Sequence, residues 1–164
     1  MPASLYPFTA FNFDVQIEVK VVGVTKLCEG QFSECDGLEM TMDVKTIREG
    51  GNNTAQIRLL GAVNYGQVTL KRGMTPSSLD LWRWFDQQQQ AAAAKLRDDC
   101  RGKATIALRT PDGKQDRVHY VLNRCLLTKL KAPGMNAISG TVAVEELQLT
   151  YESMQIVVAG GIDA

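Results

Sequence analysis

The sequence predicts a mainly β fold, two antiparallel sheets forming a barrel-like sandwich with one flanking α-helix. Three observations carry this. Phe11 to Val21 alternates apolar and polar residues without a fault, and Leu38 to Val44 does so again. A side-chain period of two is that of a strand with one buried face. Turn signals at Asp36-Gly37, Gly50-Gly51-Asn52-Asn53 and Pro111-Asp112-Gly113 punctuate the chain. One stretch alone, 77–99, combines helical spacing with a run of strong helix formers.

In the first strand Phe11, Phe13, Val15, Ile17, Val19 and Val21 share a face, and Gly23 ends it. In the second, Leu38, Met40, Met42 and Val44 alternate with Glu39, Thr41, Asp43 and Lys45, so the two are expected to pair with one face on a core. The connection from Gly50 to Gln67 is too long for a tight turn, yet it carries Ile57, Leu59, Leu60 and Val63. A solvated loop has no use for such residues, so 44–66 reads as an extended arm that packs against another surface, a second copy of the chain being one candidate.

Gln67 to Lys71 reads as a short strand closed by Arg72-Gly73. The helix follows, with Ser77 or Ser78 able to cap it and Asp80 in its first turn. Its apolar spacing makes Leu81, Trp82 and Phe85 the buried face and leaves Trp84 beside it, either covered by its own domain or available to another subunit. The Gln87–Arg97 run extends the helix as an exposed segment. Ala104–Arg109 and Arg117–Leu130 flank the Pro111-Asp112-Gly113 turn as a hairpin. In the strand at 141–151 the apolar parity changes between Val144 and Leu147, which predicts a bulge near Glu145-Glu146 or burial on both faces. Ile156, Val157 and Val158 lie in a tail, 152–164, that docks on a neighbour or covers a sheet edge.

With 164 residues and 45% hydrophobic content the chain fits a single domain, 1–164, with a real core. Lys plus Arg and Asp plus Glu number 18 each, so no global field draws nucleic acid or an anionic membrane. Cys28, Cys35, Cys100 and Cys125 form no paired spacing with each other or with His119, so neither a metal site nor a cofactor is expected. The first residues lack a secretion signal, which makes reduced thiols and synthesis in the cytoplasm the expectation. No run is long and apolar enough to span a bilayer. No nucleophile elbow, zinc-protease motif or phosphate-cradling loop occurs, and neighbouring acids such as Asp98-Asp99 do not face one cleft. Catalysis is not expected.

Several motifs stand in a set order: Ile47-Arg48-Glu49-Gly50-Gly51-Asn52-Asn53, Arg58-Leu59-Leu60-Gly61, Val68-Thr69-Leu70-Lys71-Arg72-Gly73, Leu81-Trp82-Arg83-Trp84, an opening Phe11-x-Phe13 and a closing Glu145-x-Leu147-x-Leu149-x-Tyr151-Glu152. The ordered set resembles the tail-tube (inner tube) proteins of contractile phage tails and contractile injection systems, across nearly the whole chain. The resemblance implies a structural subunit, with copies joined edge to edge into a hexameric ring whose polar strand faces line a lumen. Stacked rings would form a tube inside a sheath, with baseplate and spike proteins as further partners and cargo or DNA in the lumen. The resemblance implies a chain synthesised and assembled in the cytoplasm as part of an injection particle or virion tail, with release outside the cell as a further step open to it.

On this reading Arg48, Glu49, Gly50, Gly51, Asn52, Asn53, Arg58, Leu59, Leu60, Lys71, Arg72 and Trp84 belong to subunit interfaces. Gly61-Ala62 departs from the family's Leu-Pro-Gly step, and the helix is longer than usual. A tube-initiator or adaptor ring at the baseplate is therefore an alternative. The rival from another class is a monomeric β-sandwich binding module.

Overall fold

The computed structural model of the chain describes residues 9–19, 28–30, 32–51, 55–76, 78–94 and 100–158. The expectations for Val21, Gly23, Asn52, Asn53, Ser77, the helix beyond Ala94 and the tail beyond Val158 lie outside these residues. In chain order the elements are β1 (Phe13–Val19), β2 (Cys28–Gly30), β3 (Glu34–Asp36), β4 (Met40–Ile47), β5 (Ile57–Tyr65), β6 (Val68–Gly73), α1 (Ser78–Ala93), β7 (Gly102–Arg109), β8 (Asp116–Lys131), β9 (Val144–Thr150) and β10 (Ser153–Val158).

Eight of the strands form one antiparallel sheet, ordered β2-β1-β7-β8-β9-β6-β3 with β10 also paired to β8. The sheet folds over its longest strand. The first half of β8 pairs with β7 and β10, and its second half pairs with β9. At the change of partner Arg124 has φ of 54°, a left-handed conformation that breaks the run of the strand. Glu152 clasps this corner, pairing with Arg124 at 2.6 Å and with Arg101 at 2.6 Å.

The two layers bury one core between them. Val15, Ile17 and Val19 of β1 alternate into it as their period predicts, opposite Val68 and Leu70 of β6 and Leu147 and Leu149 of β9. Leu81 and Trp84 of α1 close the cluster at its side. Each such side chain contributes about 1.5–3 kcal/mol on burial, and a barrel-like sandwich is the arrangement that buries both inner faces at once.

The structure corrects several sequence expectations. Trp84 is buried at 1% exposure and donates its indole N–H to the Cys100 carbonyl at 2.8 Å, whereas Trp82 is 40% exposed. The helical stripe is Ser78, Leu81 and Trp84, with Phe85 at its margin. At the helix start the Ser78 hydroxyl accepts the Thr75 backbone N–H at 3.1 Å and also donates to Glu145 at 2.8 Å.

The parity change in β9 needs no bulge. Glu145 occupies the inward position that an apolar residue would take, and is 1% exposed. It is neutralised by Arg72 across the β6–β9 pair at 2.5 Å. The 156–158 segment covers a sheet edge, lying antiparallel along β8 as part of β10.

The largest correction concerns β4. It pairs with β5, not with β1, and every residue along it is exposed. β1 pairs with β2 and β7 instead.

Candidate assembly interface

β4 and β5 form a separate two-stranded sheet, a hairpin of about 25 Å at strand rise. Its sequence has the alternation of a half-buried strand, yet among the described residues nothing covers its apolar side chains. Met40, Met42, Val44, Ile47, Ile57, Leu59, Leu60 and Val63 are all between 38% and 80% exposed.

The register places these residues unequally on the two faces. Near the base, Met40, Met42 and Val44 lie opposite Tyr65, Val63 and Leu60 on one face. Toward the tip, Ile47 lies opposite Ile57, and Leu59 shares that second face. The change follows a bulge: from Met42 to Val44 the β4 strand advances two residues while β5 advances three, from Val63 to Leu60. An extra residue on one strand turns the following side chains over. Gly61 sits at this point, where a Cβ would lie 2.7 Å from the Asp43 carbonyl oxygen. The hairpin thus offers one apolar face near its root and the opposite face near its end.

The root is held firmly. Tyr65 packs on Tyr151 with ring centroids 5.4 Å apart, the Tyr151 hydroxyl donates to the Glu39 carbonyl, and Gly66 N–H donates to the same oxygen at 3.1 Å. Gly37 opens this root with φ of 89°, and a Cβ there would lie 2.0 Å from the Gln67 carbonyl oxygen. Only glycine fits both demands. The hairpin is therefore aimed by its base although its faces are bare.

Of the expected interface residues, Arg48, Glu49, Gly50, Gly51, Arg58, Leu59 and Leu60 lie exposed on this hairpin. Lys71 lies on the sheet body with Glu34 at 2.9 Å. Arg72 and Trp84 are withdrawn from that set: both are buried inside the subunit, one by its ion pair with Glu145 and the other by the core and the Cys100 carbonyl. Asn52 and Asn53 lie outside the described residues.

Other exposed groups escaped the sequence reading. The connection from β8 to β9 carries Met135 and Ile138 at 93% and 97% exposure. Large apolar side chains between Pro133-Gly134 and Gly140 were the available signal. Gln88, hidden in a repetitive run, has its amide on the backbone of β8: it donates to Leu127 O at 2.9 Å and accepts from Leu127 N at 3.0 Å. Nothing in a Gln-Gln-Gln-Gln sequence singles out that position.

The remaining chemistry of the chain is quiet. Burial pushes the Cys125 and Cys35 thiols up to about 11, which keeps them protonated and poorly nucleophilic near neutrality. Among the described residues no group of three or more His, Cys, Asp or Glu side chains is placed to hold a metal ion. No helix there is long and apolar enough to cross a membrane.

Comparison with known families decides what an exposed, rooted hairpin on a folded-over sheet belongs to. The sequence model described as T4-like virus tail tube protein gp19 matches residues 9–155. The chain belongs to this tail tube family. A search of curated protein sequences gives no match.

Among solved structures, this tail tube protein is similar to a chain of the sheath-tube complex of an extracellular contractile injection system (PVC) in its extended state. The TM-score is 0.75 at 21% identity, over 95% of each chain. It is also similar to a chain of the anti-feeding prophage tube-terminating cap, with a TM-score of 0.74 at 22% identity over 96% of this chain and 95% of that one. The Hcp1 protein of E. coli EAEC 042 shares the fold more distantly, with a TM-score of 0.51 at 11% identity over 92% and 94% of the two chains. The tail tube protein is a structural subunit of a tube.

Proposed function

We propose that this tail tube protein assembles into hexameric rings that stack into the inner tube of a contractile tail or injection particle. The observation that carries the reading is the β4–β5 hairpin, apolar on opposite faces in its two halves and, among the described residues, anchored at its root. The described residues of a single copy leave both faces wet; two neighbouring copies, one on each side, bury them. Exposed apolar area of this extent marks an interaction surface.

Arg48, Glu49 and Arg58 then act near the tip as polar contacts that fix its position, with Leu59 and Leu60 as apolar anchors. By likeness to the structures containing sheath, baseplate and cap, the assembled tube takes a sheath outside, a baseplate with its spike at one end, and cargo or DNA within. The subunit works by assembly and performs no catalysis. It is made and assembled in the cytoplasm and leaves the cell, where it does, as part of the particle.

A specialised ring at the baseplate or cap is the second reading. It is favoured by equal likeness, a TM-score of 0.74, to chains from baseplate and cap structures. Negative-stain microscopy and light scattering test both. Wild-type protein is expected to give rings and tubes. A variant with residues 43–61 replaced by a short turn is expected to keep its circular dichroism and stay monomeric. Wild-type single rings that never stack favour the specialised ring. A wild-type monomer at high concentration overturns both in favour of an isolated binding module.

A further inference from the structure

Away from the hairpin, β2 and β10 each pair with one strand only, and two further open edges among the described residues bound the β3-β6-β9-β8 part of the sheet. One is β3, the last strand of the sheet. The other is the 126–131 stretch of β8 on the side away from β9, since β7 accompanies β8 only as far as Cys125. Gln88 occupies this second edge at Leu127 with its amide, leaving the 128–131 backbone beyond it. Open edges of this kind pair readily with another chain unless something prevents it.

The outward face between the two edges is ordered in cross-strand rows. One row runs Glu34, Lys71, Glu146, Lys131, and the next runs Asp36, Thr69, Gln148, Lys129. In the first the signs alternate at every strand. Lys71 pairs with Glu34 at 2.9 Å, and Glu146 is held by Lys129 from the adjoining row at 3.1 Å. Both rows begin with an acid on β3 and end with a lysine on β8. Opposite charges facing each other on neighbouring strands stabilise a sheet, and like charges destabilise it.

We propose that the β3 edge of one copy pairs with the 128–131 edge of β8 in the next copy. Glu34 then faces Lys131 and Asp36 faces Lys129, so the charge rows run unbroken around the ring. This rests on the ring reading above and adds which edges meet and what sets their register.

Strand direction agrees. β3, β6, β9 and β8 alternate antiparallel, so rotation about a ring axis brings β8 against the next β3 antiparallel as well. In an antiparallel pair residue numbers run oppositely, and Lys131 with Glu34 and Lys129 with Asp36 satisfy that step for step. A slip of one residue puts the charges on opposite faces. A slip of two that moves β3 toward Leu127 sets Asp36 against backbone already taken by Gln88 and leaves Lys131 without an acid.

The test uses the full chain in two charge-reversed forms. Lys129→Glu/Lys131→Glu carries acids at both edges, and Glu34→Lys/Asp36→Lys carries lysines at both. Each alone is expected to weaken every seam by about tenfold or more and to remain unassembled where wild type forms rings. Mixed one to one, they are expected to form rings again, with native mass spectrometry showing equal numbers of the two forms.

Rings from either variant alone at wild-type yield, or mixed rings of random composition, overturn the seam while leaving the ring reading intact. A mixture that stays unassembled, although both variants keep the wild-type circular dichroism spectrum, overturns it too. Should a reversed variant fail to fold, the neutral pair Lys129→Gln/Lys131→Gln decides. Its rings are expected to lose the salt sensitivity of wild type, and unchanged salt sensitivity overturns the seam. Wild-type protein that forms no rings overturns the ring reading itself.

Discussion

Arg72 and Glu145 face each other on paired strands with both charges turned into the core, exposed by 4% and 1%. Arg72 also stacks over Phe32, with the guanidinium carbon 5.5 Å from the ring centroid, and Glu145 takes the Ser78 hydroxyl as a second donor. The cluster therefore joins β6, β9 and the start of α1. Removing one partner of a buried pair leaves the other charge desolvated, at a cost of roughly 3–5 kcal/mol. Glu145→Ala is accordingly expected to lose that much in urea unfolding, and Arg72→Met/Glu145→Leu to recover most of it. A double variant as unstable as the single would show that the charges themselves hold the site together. This residue pair was only half legible in the sequence. The break in apolar parity at Glu145 was visible, but its cause needed the strand partner that sets Arg72 opposite. Trp84 failed for a related reason. Leu81 has neighbours at Trp82, Trp84 and Phe85, and spacing does not choose between two tryptophans when the deciding acceptor, the Cys100 carbonyl, comes from a segment beyond the helix.

Elements fared better where burial follows the chain's own period. β1, β6 and the β7–β8 hairpin were readable because their inner faces meet the same core and their turns carry glycine or proline. β4 has an equally clean alternation and none of that burial. Period two reports that a face is meant to be covered, and it does not report by whom. The bulge at Gly61 is what divides the covered faces of the β4–β5 hairpin between two sides. Gly61→Val places side-chain atoms against the Asp43 carbonyl and forces the bulge to change. Because the hairpin lies outside the core, the thermal midpoint is expected to move by no more than about 2 °C, while ring and tube yield by microscopy falls sharply. A large drop in midpoint with normal tubes would place the bulge in the stability of the body instead.

For the whole molecule, the charged outward face gives a defined pH window. The hydrogen bond from Lys129 holds the Glu146 carboxyl below the usual range, and the bond to Glu34 holds the Lys71 ammonium above its own. A depressed carboxylate contributes above its ordinary value, and that contribution is lost as pH falls through the lowered one. A raised ammonium contributes below its ordinary value and loses this as pH rises through the raised one. The face is therefore at its best from mildly acidic to mildly alkaline pH. Carboxyl NMR titration should show the Glu146 midpoint moving back up in Lys129→Gln; an unchanged midpoint would mean that the pair does not form in solution.

The bend at Arg124 has a mechanical meaning beyond geometry. Because β8 is a member of both layers, a force applied to one layer reaches the other along a continuous polypeptide as well as through side-chain contact. Such a body resists being peeled into leaves under thrust: short of cleaving the backbone, the layers part only if the whole unit melts.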